Sequence, residues 1–535
     1  MGSDADSGWN ADVRRVSLGL TVGVALLALF WQLGARGLNE PDEGRYASVA
    51  VEMIRSGNWL VPHFQGSVHL SKPPLTYWLI ALSFKLFGVN EWAARLPSAL
   101  AALGIVLMIW SLAARWFGPR GAFQTALILI TAPLFFAVAR LADPNMLLTF
   151  CVTTGVWAWI GWQEEGRPLY RWLCYAAHGA AFLIKGPVGC VLILIAVLSF
   201  RWLGGGRWSR RPTGSVAGWV LAVGMGLSWY LFMISRYPET LNYFLGYELY
   251  DRVFTTVQNR GQPFWFFWWV LPVGFLPWLP VLAPLVRRAR ILLRPGGPEM
   301  PLGVFVILAL LLFSVSRSKL ITYVLPLYPS LALLTGAQLH FERHAGLRPR
   351  RLPMILFAML SIAAPALLLG LVGRRYQWAP VLSWTVFPAI LAALGTLGFM
   401  FRERDRNWIV PAALLVLVGH ALVLDTIGRH EDNMGSQSSA RLLARHVREV
   451  VDRQPGPVAV VRAPAALQFY LPDKPPPKPF PVEGIDQVRY LRRQVKQSHL
   501  YVVVPVRDFL LFPPLTNLDT RVVYQDRRHI ALDVQ

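Results

Sequence analysis

VSLGLTVGVALLALFWQL, residues 16–33, and NEPDEGRY, residues 39–46, stand almost side by side near the start of this chain. The first stretch is uncharged and close to the about 20 helical residues that cross a hydrocarbon core of roughly 30 Å. The second places Asp42, Glu43 and Arg45 at the mouth of that helix. Charge beside a bilayer is costly and is kept there for chemistry or for a strong partner. Lys72-Pro73-Pro74 follows, and the chain then returns to apolar runs repeatedly. Together these features predict an integral-membrane enzyme with its site at one membrane face.

Composition agrees with a membrane protein. Of 535 residues, 54% are hydrophobic and 15% charged, with mean hydropathy +0.42; a soluble domain carries more charge. The 22 Trp suit aromatic belts at two interfaces. A formal charge of +22 raises the question of a nucleic-acid partner. No nucleic acid is expected, because most arginines fall in short loops between apolar runs, where they set orientation. Cys151, Cys174 and Cys190 lie in or beside apolar runs without metal-ligand spacing, so no disulfide is expected. Arg14 and Arg15 resemble the basic flank of a signal peptide, but no small-residue cleavage site follows. The first run is read as a retained span.

Spans are expected near 16–33, 96–114, 121–139, 145–162, 173–184, 187–203, 216–234, 264–286, 301–315, 320–339, 353–372, 384–401 and 408–427, about thirteen in all. With the N-terminus cytoplasmic, alternate loops carry Arg115/Arg120, Arg167/Arg171, Arg201/Arg207/Arg210/Arg211, Arg287/Arg288/Arg290/Arg294, Arg343/Arg348/Arg350/Arg351 and Arg402/Arg404/Arg406. The opposite loops are poorer in such clusters, as the positive-inside rule requires. The Asp42 loop and the C-terminal segment then lie outside the cytoplasm. After about Gly428 the pattern changes. Gln437–Arg453 reads as a helix, Val458–Val461 and Tyr501–Val504 as buried strands, Arg521–Tyr524 and Ile530–Val534 as two more, and Pro475–Pro479 as a loop. The expected division is a membrane domain over 1–427, with 34–95 as its first outer loop, and a small soluble α/β domain over 428–535.

Three outer-loop features carry the chemistry. Tyr46, Val49, Ala50, Met53 and Ile54 form one apolar stripe, which predicts an amphipathic helix on the membrane surface. Asn39 is its expected N-cap, with Pro41 in the first turn. Asp42 and Glu43 then sit near the positive helix end, pointing about 100° apart, so that one can face a reaction centre and the other a side-chain partner. A capped surface helix with an acidic first turn is the plainer account of the same residues. Asp143-Pro144 lies in the next outer loop and is, by itself, an ordinary helix start. Lys72, Lys185, Arg252, Arg317 and Lys319 come from four outer loops, against the positive-inside bias. A lone lysine there snorkels to the headgroups; five cations point to an anion, most simply phosphate or pyrophosphate. Carboxylates that orient an acceptor and cations that hold a phosphate leaving group fit transfer from a lipid-phosphate carrier.

At these residues the chain resembles the GT-C glycosyltransferases that use polyprenyl-phosphate sugars. It looks most like the bacterial aminoarabinose transferase group, related to protein O-mannosyltransferases. The matching segments are Pro41–Tyr46, Gly57–His63, Lys72–Leu75, Glu91–Pro97, Arg140–Asp143, Lys185–Pro187 and Lys319–Tyr323, in order over the first 330 or so residues. The resemblance implies a polytopic α-helical GT-C fold. It implies Asp42 as principal catalytic carboxylate and Asp143 as its supporting partner. Lys72, Arg252, Arg317 and Lys319 would hold carrier phosphate, with Lys185, Glu43, Arg45, Tyr46 and Tyr323 also at the substrate. In that group a Glu commonly precedes Lys-Pro-Pro, and a His lies near the outer-loop Arg, both associated with a metal. Here Ser71 and the segment Glu248–Arg252 stand instead. No cofactor is therefore expected, with a divalent metal as the alternative.

The expected partners are a polyprenyl (undecaprenyl) phosphate sugar donor, lipid A or another envelope acceptor, and membrane lipids. The expected location is the bacterial inner membrane, multi-pass, with the site on the periplasmic side. The alternatives are a protein O-glycosyltransferase of the same fold and a non-catalytic lipid-sugar transporter. A transporter would place its charges near mid-membrane on broken helices, whereas here they cluster in outer loops.

Overall fold

The computed structural model describes residues 11–208, 211–212, 214–251, 261–287, 296–346, 409–429, 440–460, 464–474, 478–479, 499–506, 520–526 and 528–534. The expected spans 353–372 and 384–401, and Arg252, lie outside the described residues. The chain divides into two compact units, one of residues 1–31, 98–140 and 144–424, the other of 32–97, 141–143 and 425–535. The tail's unit also takes in the first outer loop.

The first unit is helical. Its elements are α1 (Ala11–Phe30), most of α4 (Glu91–Thr131), α5 (Pro133–Ala139), α6 (Pro144–Glu165), α7 (Pro168–Lys185), α8 (Pro187–Leu203) and α9 (Val216–Arg236). Helices Phe266–Gly274, Leu279–Arg287, Glu299–Val315, Tyr328–His344 and Ile409–Arg429 follow. By length and composition, three helices among the described residues can cross a membrane, α1, α4 and α9. Counting two bent pairs as spans raises this to five. One pair is α5 with α6, bent by 112°, and the other Phe266–Gly274 with Leu279–Leu285, bent by 114°. The run expected as one span over 121–139 is thus interrupted at Ala132-Pro133, since proline cannot continue the ladder of hydrogen bonds. The run expected over 264–286 bends likewise.

Small residues let these helices approach closely. Gly179 of α7 lies against Ala222 and Met225 of α9, and Gly189 of α8 against Ala181 of α7 and Leu148 of α6. The α7–α8 turn is Lys185-Gly186-Pro187. Gly186 takes φ 73°, a conformation that residues with a Cβ rarely adopt, and Pro187 opens the next helix. Buried Arg140 donates to the carbonyls of Ala28 (2.8 Å) and Leu29 (3.1 Å), satisfying groups that the end of α1 leaves open.

The second unit contains α2 (Asp42–Ser56), α3 (Leu75–Phe87), the short hairpin β1 (His63–Phe64) and β2 (Ser67–Val68), and the described part of the tail. In the tail, β3 (Val458–Val460), β4 (Lys478–Pro479), β5 (Leu500–Pro505), β6 (Thr520–Gln525) and β7 (His529–Val534) form a mixed sheet in the order β4-β3-β5-β7-β6. β3 runs parallel to β4 and β5, while β7 is antiparallel to β5 and β6. Every residue of β5 is buried, as its Val-rich run requires of a central strand. Lys478–Pro479, expected to be loop, is an edge strand, a place where proline is tolerated. Helix Arg441–Arg453 covers the sheet through Leu443, Val447 and Val451.

Helix α2 departs from the expected surface helix. Residues 43, 44 and 46–53 are all buried, far more than one stripe. Its apolar side packs on Tyr77, Ile80 and Phe84 of α3, and Ala466 and Phe469 of the tail join the same core. Gly44 explains the tail's approach, because a Cβ there would lie 2.5 Å from the Ala466 backbone nitrogen. Nor is Asn39 the N-cap. The helix starts after Pro41, and the Asn39 side chain accepts from Arg36 at 2.6 Å.

Candidate active site

The two acidic residues that open α2 have different surroundings. Asp42 keeps 46% of its side chain exposed and pairs with Arg45, one turn on, at 2.5 Å. Glu43 is 2% exposed and wholly engaged. Arg95 donates to its two oxygens at 2.8 and 3.0 Å. The backbone N–H groups of Ala142 (2.8 Å) and Asn39 (3.0 Å) complete the shell. Burial pushes the Glu43 carboxyl up, but the Arg95 and Arg36 charges and the hydrogen bonds outweigh it and bring it down to about 2. Expected at the substrate, Glu43 is instead an internal anchor. Arg95 spends its remaining donors on the carbonyls of Leu33 (2.9 Å), Arg36 (2.8 Å) and Gly37 (2.7 Å).

This anchor fixes two segments together. Asn39 lies three residues before Asp42, and Ala142 immediately before Asp143, so one buried carboxylate locates both candidate catalytic residues. The charges of both reach Tyr46. Burial, then Tyr77 and the Asp143 charge, raise its phenol well above the usual range, with Asp42 adding and Arg45 opposing. The Tyr46 and Tyr77 rings are 5.6 Å apart, and His69 stands 6.4 Å from Tyr77. His69 Nε2 shares a 2.6 Å hydrogen bond with the Ser71 hydroxyl, and Lys72 Nζ donates to the Ser71 carbonyl at 2.5 Å. Burial, then the charges of Arg45 and Lys72, lower the His69 imidazole to about 4, so it is neutral near pH 7. The second unit thereby gathers Asp42, Arg45, Tyr46, His69, Lys72, Tyr77 and Asp143.

A second clamp lies just upstream. The Glu40 carboxylate accepts from the backbone N–H groups of Ala465 (2.7 Å) and Ala466 (2.8 Å). Ser48 donates to the Ala465 carbonyl at 2.7 Å and accepts from the Phe469 N–H at 3.2 Å. Burial raises the Glu40 carboxyl to about 7, against those backbone bonds and the Arg45 charge.

The remaining candidates belong to the first unit. Lys185 ends α7, donates to the Asn145 side-chain carbonyl and places its ammonium 4.0 Å from the centre of the Tyr323 ring. Asn145 in turn donates to Thr322 at 2.9 Å. Lys319 is buried, donating to the carbonyls of Gln262 (3.1 Å) and Ser316, whereas Arg317 is exposed. The two expected as a pair therefore face different surroundings. Lys319 braces the 261–262 backbone, which also bridges to Ser318.

The family metal does not suit these donors. Ser71 offers an uncharged hydroxyl already bound to His69, a poor substitute for a carboxylate. Among the described residues no group of three or more His, Cys, Asp or Glu is assembled. The cysteines are free thiols.

Arg95, Glu40, His69 and Tyr77 were not assigned roles from sequence. Arg95 alone carried a signal, a charge at the start of an apolar span. Glu40 and Tyr77 find partners in distant segments, Ala465/Ala466 and Tyr46, that sequence spacing does not connect, while His69 bonds nearby Ser71 without any motif to mark it.

Residues 71–254 match the family model described as dolichyl-phosphate-mannose-protein mannosyltransferase. The undecaprenyl phosphate-alpha-4-amino-4-deoxy-L-arabinose arabinosyl transferase of Edwardsiella ictaluri is 31% identical over 74% of this chain and 73% of its own length. A namesake from Pseudomonas fluorescens is 32% identical over 60% of this chain and 59% of its own. The crystal structure of ArnT from Cupriavidus metallidurans bound to undecaprenyl phosphate superposes with a TM-score of 0.78 at 25% identity, over 96% of this chain and 97% of that one. The apo form gives 0.77 at 24% identity, over 98% of each chain. A multi-pass helical membrane fold with these relatives defines a membrane glycosyltransferase. The chain belongs to the aminoarabinose transferase family of GT-C enzymes.

Proposed function

We propose that this enzyme moves a sugar from a polyprenyl phosphate, undecaprenyl phosphate first, to an envelope acceptor, lipid A first, at the outer face of the bacterial inner membrane. The observation that carries the reading is the division of labour in α2. Glu43 is consumed in holding the loops, which leaves Asp42 half-exposed and fixed beside Arg45. Asp42 then orients the acceptor and takes its proton where it carries one. The acceptor oxygen attacks the anomeric carbon while the bond from that carbon to the phosphate oxygen breaks. The carrier phosphate leaves with the electron pair. Asp143 supports Asp42, and Lys72 is assigned to the phosphate, where fixed positive charge favours the leaving group. Lys185, Arg252, Arg317, Lys319 and Tyr323 keep the substrate-binding roles that their charge and the family resemblance imply. The donor is supported by the names of the relatives and by the carrier bound in the ArnT crystal structure. The outer-face orientation, the count of about thirteen spans and the placing of the 428–535 domain outside rest on the arginine pattern.

A protein acceptor is the second reading, favoured by the mannosyltransferase family match over residues 71–254. Mass spectrometry of envelope lipids and proteins from cells with and without this chain decides between them. Loss of a sugar adduct from lipid A supports the first reading, and loss from the protein fraction supports the second. Unchanged lipid and protein profiles, with the chain expressed and its donor present, would remove both.

A further inference from the structure

A cavity of about 120 Å³ lies in the first unit, lined by none of the candidate catalytic or substrate residues. It forms where the ends of α6 and α8 meet the starts of α7 and α9. Trp159, Trp162, Arg171, Tyr175, Arg201 and Trp219 are among its lining residues, none of which is acidic. Trp159 Nε1, Arg171 Nε and Arg201 Nη1 are buried and have no hydrogen-bond partner among the described residues. Three donors without acceptors on one cavity are costly, and more so for guanidinium groups. The charges are also held in place. Arg171 lies 5.2 Å and Arg211 5.5 Å from the Trp162 ring, so one indole carries two guanidiniums. Two helix N-termini, those of α7 and α9, add positive dipole ends on this side.

The cavity asks for a small, acceptor-rich anion. It is well below the roughly 300–1,000 Å³ of pockets that enclose a whole small-molecule ligand, so only a headgroup enters. The rest of the ligand must lie outside, and the rim is apolar there. Leu194 is 44% and Trp219 45% exposed, with Val197 and Leu198 beside them. Tryptophans at this level match the membrane interface. We propose that this cavity binds the phosphate headgroup of an anionic phospholipid from the leaflet on the arginine-rich side, with an acyl chain along α8. The site is independent of the sugar-transfer reading. Basic pockets between membrane helices are a recurring mode of anionic-lipid capture.

The test uses the purified full-length protein in mild detergent, by native mass spectrometry, with phosphatidylglycerol or phosphatidylcholine added. Phosphatidylglycerol is expected to be retained at least about tenfold better. Arg171→Gln/Arg201→Gln should abolish the difference. Trp159→Phe, which keeps an aromatic ring and loses the N–H, should weaken it and serves if the double variant does not fold. Millimolar inorganic phosphate should not displace the lipid. Equal retention of the two lipids, or a preference untouched by both variants, overturns the proposal. Displacement by inorganic phosphate also overturns it, since the site would then take a free anion and not a lipid.

Discussion

Replacing Arg95 by methionine tests whether one buried ion pair positions both candidate catalytic loops. Arg95 is 0% exposed and donates to Glu43 and to the carbonyls of Leu33, Arg36 and Gly37. The substitution leaves Glu43 buried without its main counter-charge and removes the donor from three carbonyls. Breaking one side of a buried pair costs about 3–5 kcal/mol. At about 1.4 kcal/mol per factor of ten, local opening should become roughly a hundredfold to a few thousandfold more frequent. The readout is hydrogen exchange at the Asn39 and Ala142 amides, the two N–H groups that Glu43 receives. Their exchange should accelerate by that factor, and sugar transfer should fall with it. The double variant Glu43→Gln/Arg95→Met removes both charges and keeps a side-chain carbonyl that can accept from one of these amides, so it should recover part of the protection, because no lone buried charge remains. Unchanged exchange at both amides in Arg95→Met would refute the anchor and the argument built on it.

Asp42→Asn keeps shape and loses charge and basicity, so transfer should drop by about 10²-fold or more with expression little changed; near-normal turnover would reduce Asp42 to a helix-end residue. In a Cys-free background, single cysteines at Gly66 and at exposed Gln454 should react with an impermeant thiol reagent in spheroplasts and one at Gly205 should not, the reverse pattern removing the proposed orientation. Glu40 has a folded pKa of about 7, above its ordinary 4.5. The native state therefore holds the extra proton, and stability should fall as pH rises from about 4.5 to about 7. Thermal unfolding of Glu40→Gln should lack that fall, and an identical pH profile for the two proteins would remove Glu40 as its source.

The helices of the first unit were legible because apolar length is a local signal. The run 187–203 coincides with α8, and 173–184 lies within the longer α7 (Pro168–Lys185). Their interruptions were less legible, since Pro133 inside an apolar run is compatible with either a kink or a full break. At the site, helix geometry says only that Asp42 and Glu43 point apart, not which of them is buried, and Glu43 was expected at the substrate. The identity of Glu43's partner was not legible either, because Arg95 lies 52 residues on. Helix α2 was misjudged for the same reason. Its stripe of Tyr46, Val49, Ala50 and Met53 is amphipathic, but the small residues Gly44, Ala47 and Ser48 on its other side are what the tail packs against. Small residues do not announce a partner that arrives more than 400 positions later. For Arg317 and Lys319, two cations in one short loop gave no hint that one would turn inward to brace backbone carbonyls.

The bonds from Glu40 to Ala465 and Ala466 span 425 and 426 positions of sequence. A ribosome adding about 5–20 residues per second needs roughly 20–85 s to travel that far. Throughout that interval the Asp42 loop has already emerged, while the segment that closes over Gly44 and Ser48 has not been made. The loop core is therefore among the last parts of the molecule to be completed. A chain truncated before Ala465 would insert its early helices and still lack the segment that closes the Asp42 loop, so sugar transfer is expected to require the chain at least through Ala466.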